Sequence, residues 1–192
     1  MAFLRRILAA APLLLWAVGG GVGGGGGLAA QTGHASEYRV KAVFLFNFAQ
    51  FVDWPADAFP DSTAPFVIGV LGSDPFGELL DETVRGEELR GRPFQVRRYQ
   101  TVDEIKACHI LFIHQPAGDR VGEILSRLRD RPILTVSDDA DFADQGGMVR
   151  FVNDRNRIRL EINPGAAQAA NLTISSKLLR VAEIATPRGR GR

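Results

Sequence analysis

Three short apolar runs constrain the fold of this chain more than any other feature. They are FVIGVLG at 66–72, ILFI at 110–113 and ILTV at 133–136, and each is apolar almost without interruption. Strands of a parallel sheet have this pattern because helices cover both of their faces, whereas half-exposed strands alternate apolar and polar residues. Helical patterns separate the runs, at 76–84, 102–107 and 120–129, and FQVRRYQ supplies a further strand. This alternation predicts a doubly wound α/β domain with a mostly parallel sheet.

The pattern changes to strict alternation near the C-terminus. MVRFVN and RIRLEIN flank the turn residues DRNR, and in the second segment Ile158, Leu160 and Ile162 alternate with Arg157, Arg159 and Glu161. Such alternation predicts an antiparallel hairpin with one exposed face at the sheet edge. Apolar residues at Leu178, Ala182 and Ala185 then predict a C-terminal helix over about 177–184.

A helix is also predicted at 37–53, before the first strand. Its apolar stripe consists of Val40, Phe44, Phe48, Phe51 and Val52, widened by Val43, Leu45 and Phe46. Trp54-Pro55 ends the helix, because the residue before a proline is disfavoured in helical conformation.

The N-terminal segment has the composition of a secretory signal. Arg5 and Arg6 precede an apolar stretch at 7–18, and small residues follow up to Ala30. This order predicts a cleaved signal peptide at 1–30, a linker at 31–36, an α/β domain at 37–185 and a basic disordered tail at 186–192. The protein is therefore expected to be soluble and exported, and an uncleaved membrane anchor is the less favoured alternative.

Charge argues against nucleic acid as a partner of the folded domain. Setting aside Arg5, Arg6 and the tail arginines lowers the basic count from 23 to 18, against 22 acidic residues. A mildly acidic body does not attract a polyanion. The single cysteine, Cys108, excludes an internal disulfide, and its apolar neighbours CHILFI predict a buried thiol.

Two serines beside a lysine, in LTISSKLL, raise the question of a catalytic centre. A serine nucleophile needs a base within hydrogen-bond reach, and Ser175 and Lys177 are two apart, a spacing that does not face on a helix. Ser175 or Ser176 instead stands where a helix N-cap is expected. We therefore assign no catalytic residue, and a hydrolase acting through either serine is the weakest of three hypotheses.

Ligand-pocket candidates follow from the rule that α/β sheets bind ligands at the carboxyl ends of their strands. The turn LGSDPFG follows the first strand and SDDADF follows the third; a purely structural turn is the simpler interpretation of both. Asn47 is a further candidate because it is polar among phenylalanines, although a hydrogen-bonded core amide is the simpler explanation. The full candidate set is Asn47, Ser73, Asp74, Phe76, Gly77, Ser137 and Asp138.

Metal ligation is not predicted. His109 and His114 are five apart, which on a strand places them on opposite faces, and His34 lies near the N-terminus. No cofactor is predicted either. Glu161 is the carboxylate of most interest for a partner, because it lies among Arg150, Arg157 and Arg159, although a solvated ion-pair face is the simpler explanation.

Several stretches, in order, resemble the YfiR family of exported proteins over residues 37–185. They are YRVKAVFLFNFAQFVDWP, IGVLGSDPFG, CHILFI, ILTVSD, FADQGGMVRFV, RIRLEIN and AANLTISSKLLRVA. The resemblance implies a compact α/β fold that can dimerise, and a non-enzymatic periplasmic repressor that binds the periplasmic sensor region of an inner-membrane diguanylate cyclase and lowers cyclic di-GMP, which disfavours biofilm.

On that hypothesis the partner-contact candidates are Arg157, Arg159, Glu161, Lys177 and Arg180. The alternative hypothesis is a periplasmic small-ligand-binding module, and both hold if a small-molecule effector tunes repression.

Overall fold

The computed structural model describes residues 26–114, 120–155 and 157–185, with side chains from residue 35 onward. Five α-helices occur there: α1 Gly26–Phe51, α2 Glu78–Val84, α3 Val121–Leu128, α4 Pro164–Ala169 and α5 Ser176–Leu179. The strands are β1 Val52–Asp53, β2 Phe66–Gly72, β3 Glu88–Leu89, β4 Arg92–Tyr99, β5 Ile110–His114, β6 Leu134–Ser137, β7 Val149–Asp154, β8 Arg157–Ile162, β9 Thr173–Ile174 and β10 Glu183–Ile184. Residues 1–25 of the signal predicted at 1–30, and the whole predicted tail at 186–192, lie outside the described residues.

The central sheet has the order β10-β8-β7-β6-β5-β2-β4-β3. Its core is parallel, since β2 pairs with β4 and β5, β5 with β6, and β6 with β7. The predicted hairpin is confirmed as the antiparallel pair β7 and β8. A separate two-stranded ladder joins β1 to β9 and ties the end of α1 to the C-terminal segment.

Helices cover both faces of the sheet, as the uninterrupted apolar runs predicted. On one face, here called the α1 side, α1 and α2 pack on residues such as Ile68, Phe112 and Phe151. On the other face, the α3 side, α3 packs on a second cluster that includes Leu71, Leu111 and Ile113. The fold is therefore the doubly wound α/β arrangement expected from the sequence.

The buried stripe of α1 differs from the predicted one. In α1 the structure buries Lys41, Ala42, Leu45, Phe48 and Ala49, while Val40 and Val43 are exposed. The prediction placed no lysine in the interior because an unpaired lysine is rarely buried. Lys41 is buried because its ion pairs compensate its charge. In addition, α1 begins at Gly26, so the predicted linker at 31–36 is helical and continuous with the domain.

Two helix predictions near the middle and the end of the chain are too long. At 102–107 the structure has only a 3-10 turn, Val102–Glu104. The Glu104 carboxylate accepts hydrogen bonds from Gln100 N–H and from the Thr101 hydroxyl, and these bonds hold a tight turn before β5. The helix predicted over 177–184 ends at Leu179. The chain then forms β10, which pairs in parallel with β8, so the predicted hairpin is not the outermost strand pair at that edge.

Among the described residues, none of the helices combines the length and the apolar character required to cross a bilayer.

Candidate functional site

The carboxyl ends of β2 and β5 meet at the point where the connections of the sheet diverge. From β2 the chain passes through α2 to β4 on one side, and β5 lies on the other side of β2. Gly72 pairs with His114 there, and Ser73 N–H donates to the His114 carbonyl at 3.1 Å. In doubly wound folds this divergence opens the crevice in which ligands bind.

Asp138 is the centre of a polar cluster at this crevice. It follows β6, and its Oδ2 accepts from the Tyr38 hydroxyl at 2.9 Å and from Lys41 Nζ at 2.6 Å. Its Oδ1 lies 3.0 Å from His114 Nδ1. One carboxylate thus joins α1 to the ends of β5 and β6, and we call Glu37, Tyr38, Lys41, His114 and Asp138 the Asp138 cluster.

Lys41 is the cation of the cluster and only 2% of it is exposed. Besides Asp138 it pairs with Glu37 at 2.5 Å, one helical turn earlier, and its Nζ lies 4.3 Å from the centroid of the Tyr38 ring. Glu37 in turn accepts from Asn153 Nδ2 at 2.8 Å. Two carboxylates and an aromatic face therefore compensate one buried lysine, which is the condition under which burial of a charge is tolerated.

The environment shifts the proton affinity of two groups in the cluster. Burial by itself raises the pKa of the Asp138 carboxyl, but hydrogen bonds from His114 and Lys41 outweigh burial and hold that pKa well below its usual range. Burial, followed by the neighbouring Asp138 charge, raises the pKa of Tyr38. Asp138 is therefore an anion and Tyr38 a neutral donor at neutral pH. Perturbed groups in a crevice mark a candidate functional site.

The pocket residues predicted after β2 and β6 lie at this same end of the sheet, with individual roles. Asp74 Oδ1 accepts from Phe76 N–H at 2.8 Å and Gly77 N–H at 3.2 Å, which closes the turn before α2, and its Oδ2 accepts from Arg98 Nε at 2.8 Å. The Phe76 ring packs edge-on against Tyr38 with centroids 5.4 Å apart. The buried Ser137 hydroxyl donates to the Ile113 carbonyl at 2.7 Å.

The structure does not bring Asn47 to the same place. It lies six residues after Lys41 on α1, which is a rise of about 9 Å, and α1 runs from the Asp138 cluster toward Trp54 at the opposite end of the sheet, where Trp54 Nε1 donates to the His109 carbonyl. Conversely, Glu37, Tyr38 and Lys41 were not among the candidates chosen from sequence, and His114 was considered there only as a metal ligand. The only sequence signal for Lys41 was its position as a charged residue within the apolar pattern of α1.

His109 and His114 lie at opposite ends of β5. His109 is buried; its Nδ1 accepts from Val67 N–H at 2.9 Å, and its Nε2 lies 3.2 Å from the Ala58 carbonyl, which fixes the tautomer with hydrogen on Nε2. Its ring stacks on Phe59 and Phe66. Burial lowers the pKa of His109 to about 4, so it is a neutral structural residue. Within the described residues no group of three histidine, cysteine or acidic side chains is arranged to hold a metal ion.

The predicted partner-contact residues lie in two different settings. Glu161 pairs with Arg150 at 2.8 Å across β7 and β8, and Arg159 pairs with Asp154 at 2.8 Å and with Glu183 at 3.4 Å. These charges alternate with Leu160 and Ile162, which face the α1 side, so they project toward the α3 side. Lys177 and Arg180 belong to the α5 segment, which packs on the α1 side.

A cavity of about 560 Å³ lies elsewhere, against α3. It is bounded by α3, by residues 145–148 and by α4, and Thr135 and Met148 contribute to its wall. None of the pocket residues predicted from sequence lines it. This cavity is therefore separate from the Asp138 cluster.

Comparison with known proteins identifies the family. A family model described as YfiR/HmsC-like matches residues 38–183, a span that contains the whole central sheet up to Glu183 and four of the five residues of the Asp138 cluster. No curated protein matches the chain. Because the family match extends over well more than half of its length, the chain belongs to the YfiR/HmsC-like family.

Proposed function

We propose that this protein is a non-enzymatic periplasmic regulator that binds the periplasmic sensor region of an inner-membrane diguanylate cyclase and represses it, so that cyclic di-GMP falls. The observation that carries the proposal is membership of the YfiR/HmsC-like family over residues 38–183. The motifs that resemble the family in sequence include α1, α5 and most strands of the central sheet, and they contain Tyr38, Lys41 and Asp138 of the Asp138 cluster.

Repression by binding requires only that the regulator bind one conformation of the sensor region more tightly than the other. A sensor region with active and inactive conformations shifts toward the one that the regulator binds more tightly, and the shift equals the differential binding free energy. A compact domain that exposes a preformed surface meets this requirement without any chemical step.

The side chains that could act as nucleophiles, Ser175 and Cys108, have structural roles, and this supports a binding function. The Ser175 hydroxyl accepts from Lys177 N–H at 3.2 Å and caps α5. Cys108 is buried, its thiol contacts the Ile110 carbonyl at 3.1 Å, and burial raises the pKa of the thiol to about 12. A thiol with that pKa has almost no thiolate at neutral pH and is a poor nucleophile.

Affinity capture tests the proposal. The protein is purified from the periplasm as the cell exports it, immobilised, and exposed to detergent-solubilised inner membranes, and the retained proteins are identified by mass spectrometry. We expect a diguanylate cyclase with a periplasmic region to be enriched over a column of heat-unfolded protein. Retention of a different membrane sensor, with no cyclase, would contradict the proposed partner.

A small-molecule effector is the second candidate function, favoured by the position of the Asp138 cluster at the β2/β5 crevice. A ligand that binds the folded state raises the unfolding temperature by mass action. A thermal-shift screen of periplasmic metabolites should therefore find stabilising compounds whose effect disappears in Asp138→Asn. A hit that is unchanged in Asp138→Asn but lost in Thr135→Val would place the ligand in the cavity beside α3 instead.

A further inference from the structure

The cavity against α3 has the size of a small-molecule site. Its volume is about 560 Å³, and such sites in proteins usually measure about 300 to 1,000 Å³, with apolar walls and a few well-placed polar groups. Its walls come from three parts of the chain: α3, residues 145–148 and α4. The chemistry of these walls determines which ligand fits.

One face of α3 forms the longest wall. The lining residues that share this face, at spacings of three and four, are Gly122, Leu125, Ser126 and Arg129. On α4 the lining residues Ala166 and Ala169 are one turn apart and small, so they leave the space between the two helices open. The neighbouring Ala167 and Ala170 belong to the core cluster instead.

Burial separates the floor of the cavity from its rim. The buried lining residues are Leu125, Leu128, Thr135 and Met148. The exposed ones include Ser126, Arg129 and Gln145. A ligand can therefore place an apolar body over the floor and keep a polar group at the rim.

Thr135 supplies a hydrogen-bond donor at the floor. It is 2% exposed, and its Oγ1 accepts a hydrogen bond from Met148 N–H at 3.3 Å. A threonine hydroxyl can also donate one hydrogen bond, yet no residue in the described part of the chain accepts from it. Because buried donors are normally satisfied, this hydroxyl indicates a ligand that carries an oxygen acceptor.

The charged lining residues are Arg120, Glu123 and Arg129. Because α3 connects the parallel neighbours β5 and β6, it runs antiparallel to them, and Arg129 lies at the amino end of β6, where Thr135 also lies. Arg120 is about 13 Å away along the helix axis, and Glu123, one turn after it, offsets its charge. Arg129 forms no ion pair with any described residue, and its neighbour Asp130 does not line the cavity.

We infer that the cavity against α3 binds a small organic carboxylate with an apolar body. The apolar body lies over Leu125, Leu128 and Met148, the carboxylate pairs with Arg129, and a ligand oxygen accepts a hydrogen bond from the Thr135 hydroxyl. A cationic ligand is repelled by Arg129, and a purely apolar ligand leaves the buried hydroxyl without an acceptor. The inference goes beyond the proposed function and does not depend on it.

Isothermal titration calorimetry on the protein purified from the periplasm tests the inference. The probes are octanoate and phenylbutyrate, two carboxylates with different apolar bodies, and octylammonium is the matched probe of opposite charge. Titrations are made at low and high salt.

Three variants locate the site. Ala169→Leu fills the cavity from an exposed position of α4, and leucine is a good helix former, so folding should be preserved. Arg129→Gln removes the proposed cationic partner. Arg120→Gln is its matched control, because Arg120 lies at the other end of α3 and its side chain makes no cap hydrogen bond. Urea denaturation confirms that each variant is folded.

We expect wild type to bind at least one of the two carboxylates and to bind octylammonium more weakly. Ala169→Leu should abolish binding. Arg129→Gln should weaken binding by about threefold to tenfold and reduce its salt dependence, since the pair lies at an exposed rim. Arg120→Gln should bind as wild type does.

Four results overturn the inference. Neither carboxylate binds wild type; octylammonium binds as tightly as octanoate; a folded Ala169→Leu keeps the wild-type affinity; or Arg120→Gln weakens binding while Arg129→Gln does not. Binding that is lost in Asp138→Asn but kept in Ala169→Leu assigns the ligand to the Asp138 cluster and has the same consequence. None of these results changes the outcome of the affinity capture, so the proposed function and this inference can fail separately.

Discussion

At the scale of single residues, the burial of Lys41 depends on the carboxylates around it. Lys41 is 2% exposed and pairs with Asp138 at 2.6 Å, whereas the Arg90–Asp53 pair at the surface has side chains 75% and 69% exposed. Removing one member of a buried pair leaves an uncompensated charge, whereas surface pairs contribute little.

Lys41→Met should therefore lower the free energy of unfolding by about 3 kcal/mol, against at most about 1 kcal/mol for the matched surface change Arg90→Met. The double variant Lys41→Met with Asp138→Asn should lose less than the sum of the two single changes, because each removes the same interaction. Urea denaturation of the four proteins and wild type measures these differences. Additive losses would show that Lys41 and Asp138 are not coupled.

His109 predicts a pH dependence of stability with a definite sign. Its pKa in the folded state, about 4, is lower than the ordinary value of 6.5, so the unfolded chain binds more protons between these two values. The stability contributed by neutral His109 is complete above about pH 6.5 and declines as the pH falls toward 4, by about 3 kcal/mol at most.

His109→Asn tests this, because the asparagine oxygen can replace Nδ1 as acceptor for Val67 N–H and cannot be protonated in this range. The variant should be less stable at pH 7, having lost the stacked ring, but its stability should change less between pH 6.5 and 4.5 than that of wild type. Urea midpoints across that interval give the answer. If the urea midpoints of the two proteins change equally with pH, His109 is not the titrating group.

At the scale of elements, α5 is a single turn whose start depends on a cap. The Ser175 hydroxyl accepts from Lys177 N–H, while Ser176 is exposed in the first turn. Ser175→Ala should lower the free energy of unfolding by about 1 kcal/mol, and Ser176→Ala should have a smaller effect. Urea denaturation compares them, and an equal loss in both would mean that the cap contributes nothing.

The elements that the sequence predicted well are those whose environment is uniform along their length. β2, β5 and β6 are buried on both faces, so their apolar runs have only one interpretation. The predicted stripe of α1 placed Val40 inside and left Lys41 out, because hydrophobicity alone ranks valine above lysine. The strand β10 was missed, since Glu183–Ile184 is too short to show a period and forms only because β8 offers a free edge.

At the scale of the whole molecule, the sequence predicted the fold class and the end of the sheet that holds the polar cluster. It placed candidates after β2 and β6, and Asp138 among them is the centre of that cluster. It did not identify Tyr38, Lys41 or His114, because these residues meet only when α1 packs across the sheet, at sequence separations of 97 and 100 for Lys41 and Tyr38 to Asp138. Contacts of that range depend on the complete topology.

Intracellular cyclic di-GMP is the quantity that tests the central claim of repression most directly. It is measured by mass spectrometry in wild-type cells, in cells lacking this gene, and in cells lacking both this gene and the cyclase retained in the capture experiment. The account predicts that cyclic di-GMP rises when the gene is deleted, returns on complementation with the exported protein, and does not rise when the cyclase is also absent. Cyclic di-GMP that is unchanged by the deletion would contradict the claim that this protein represses a diguanylate cyclase.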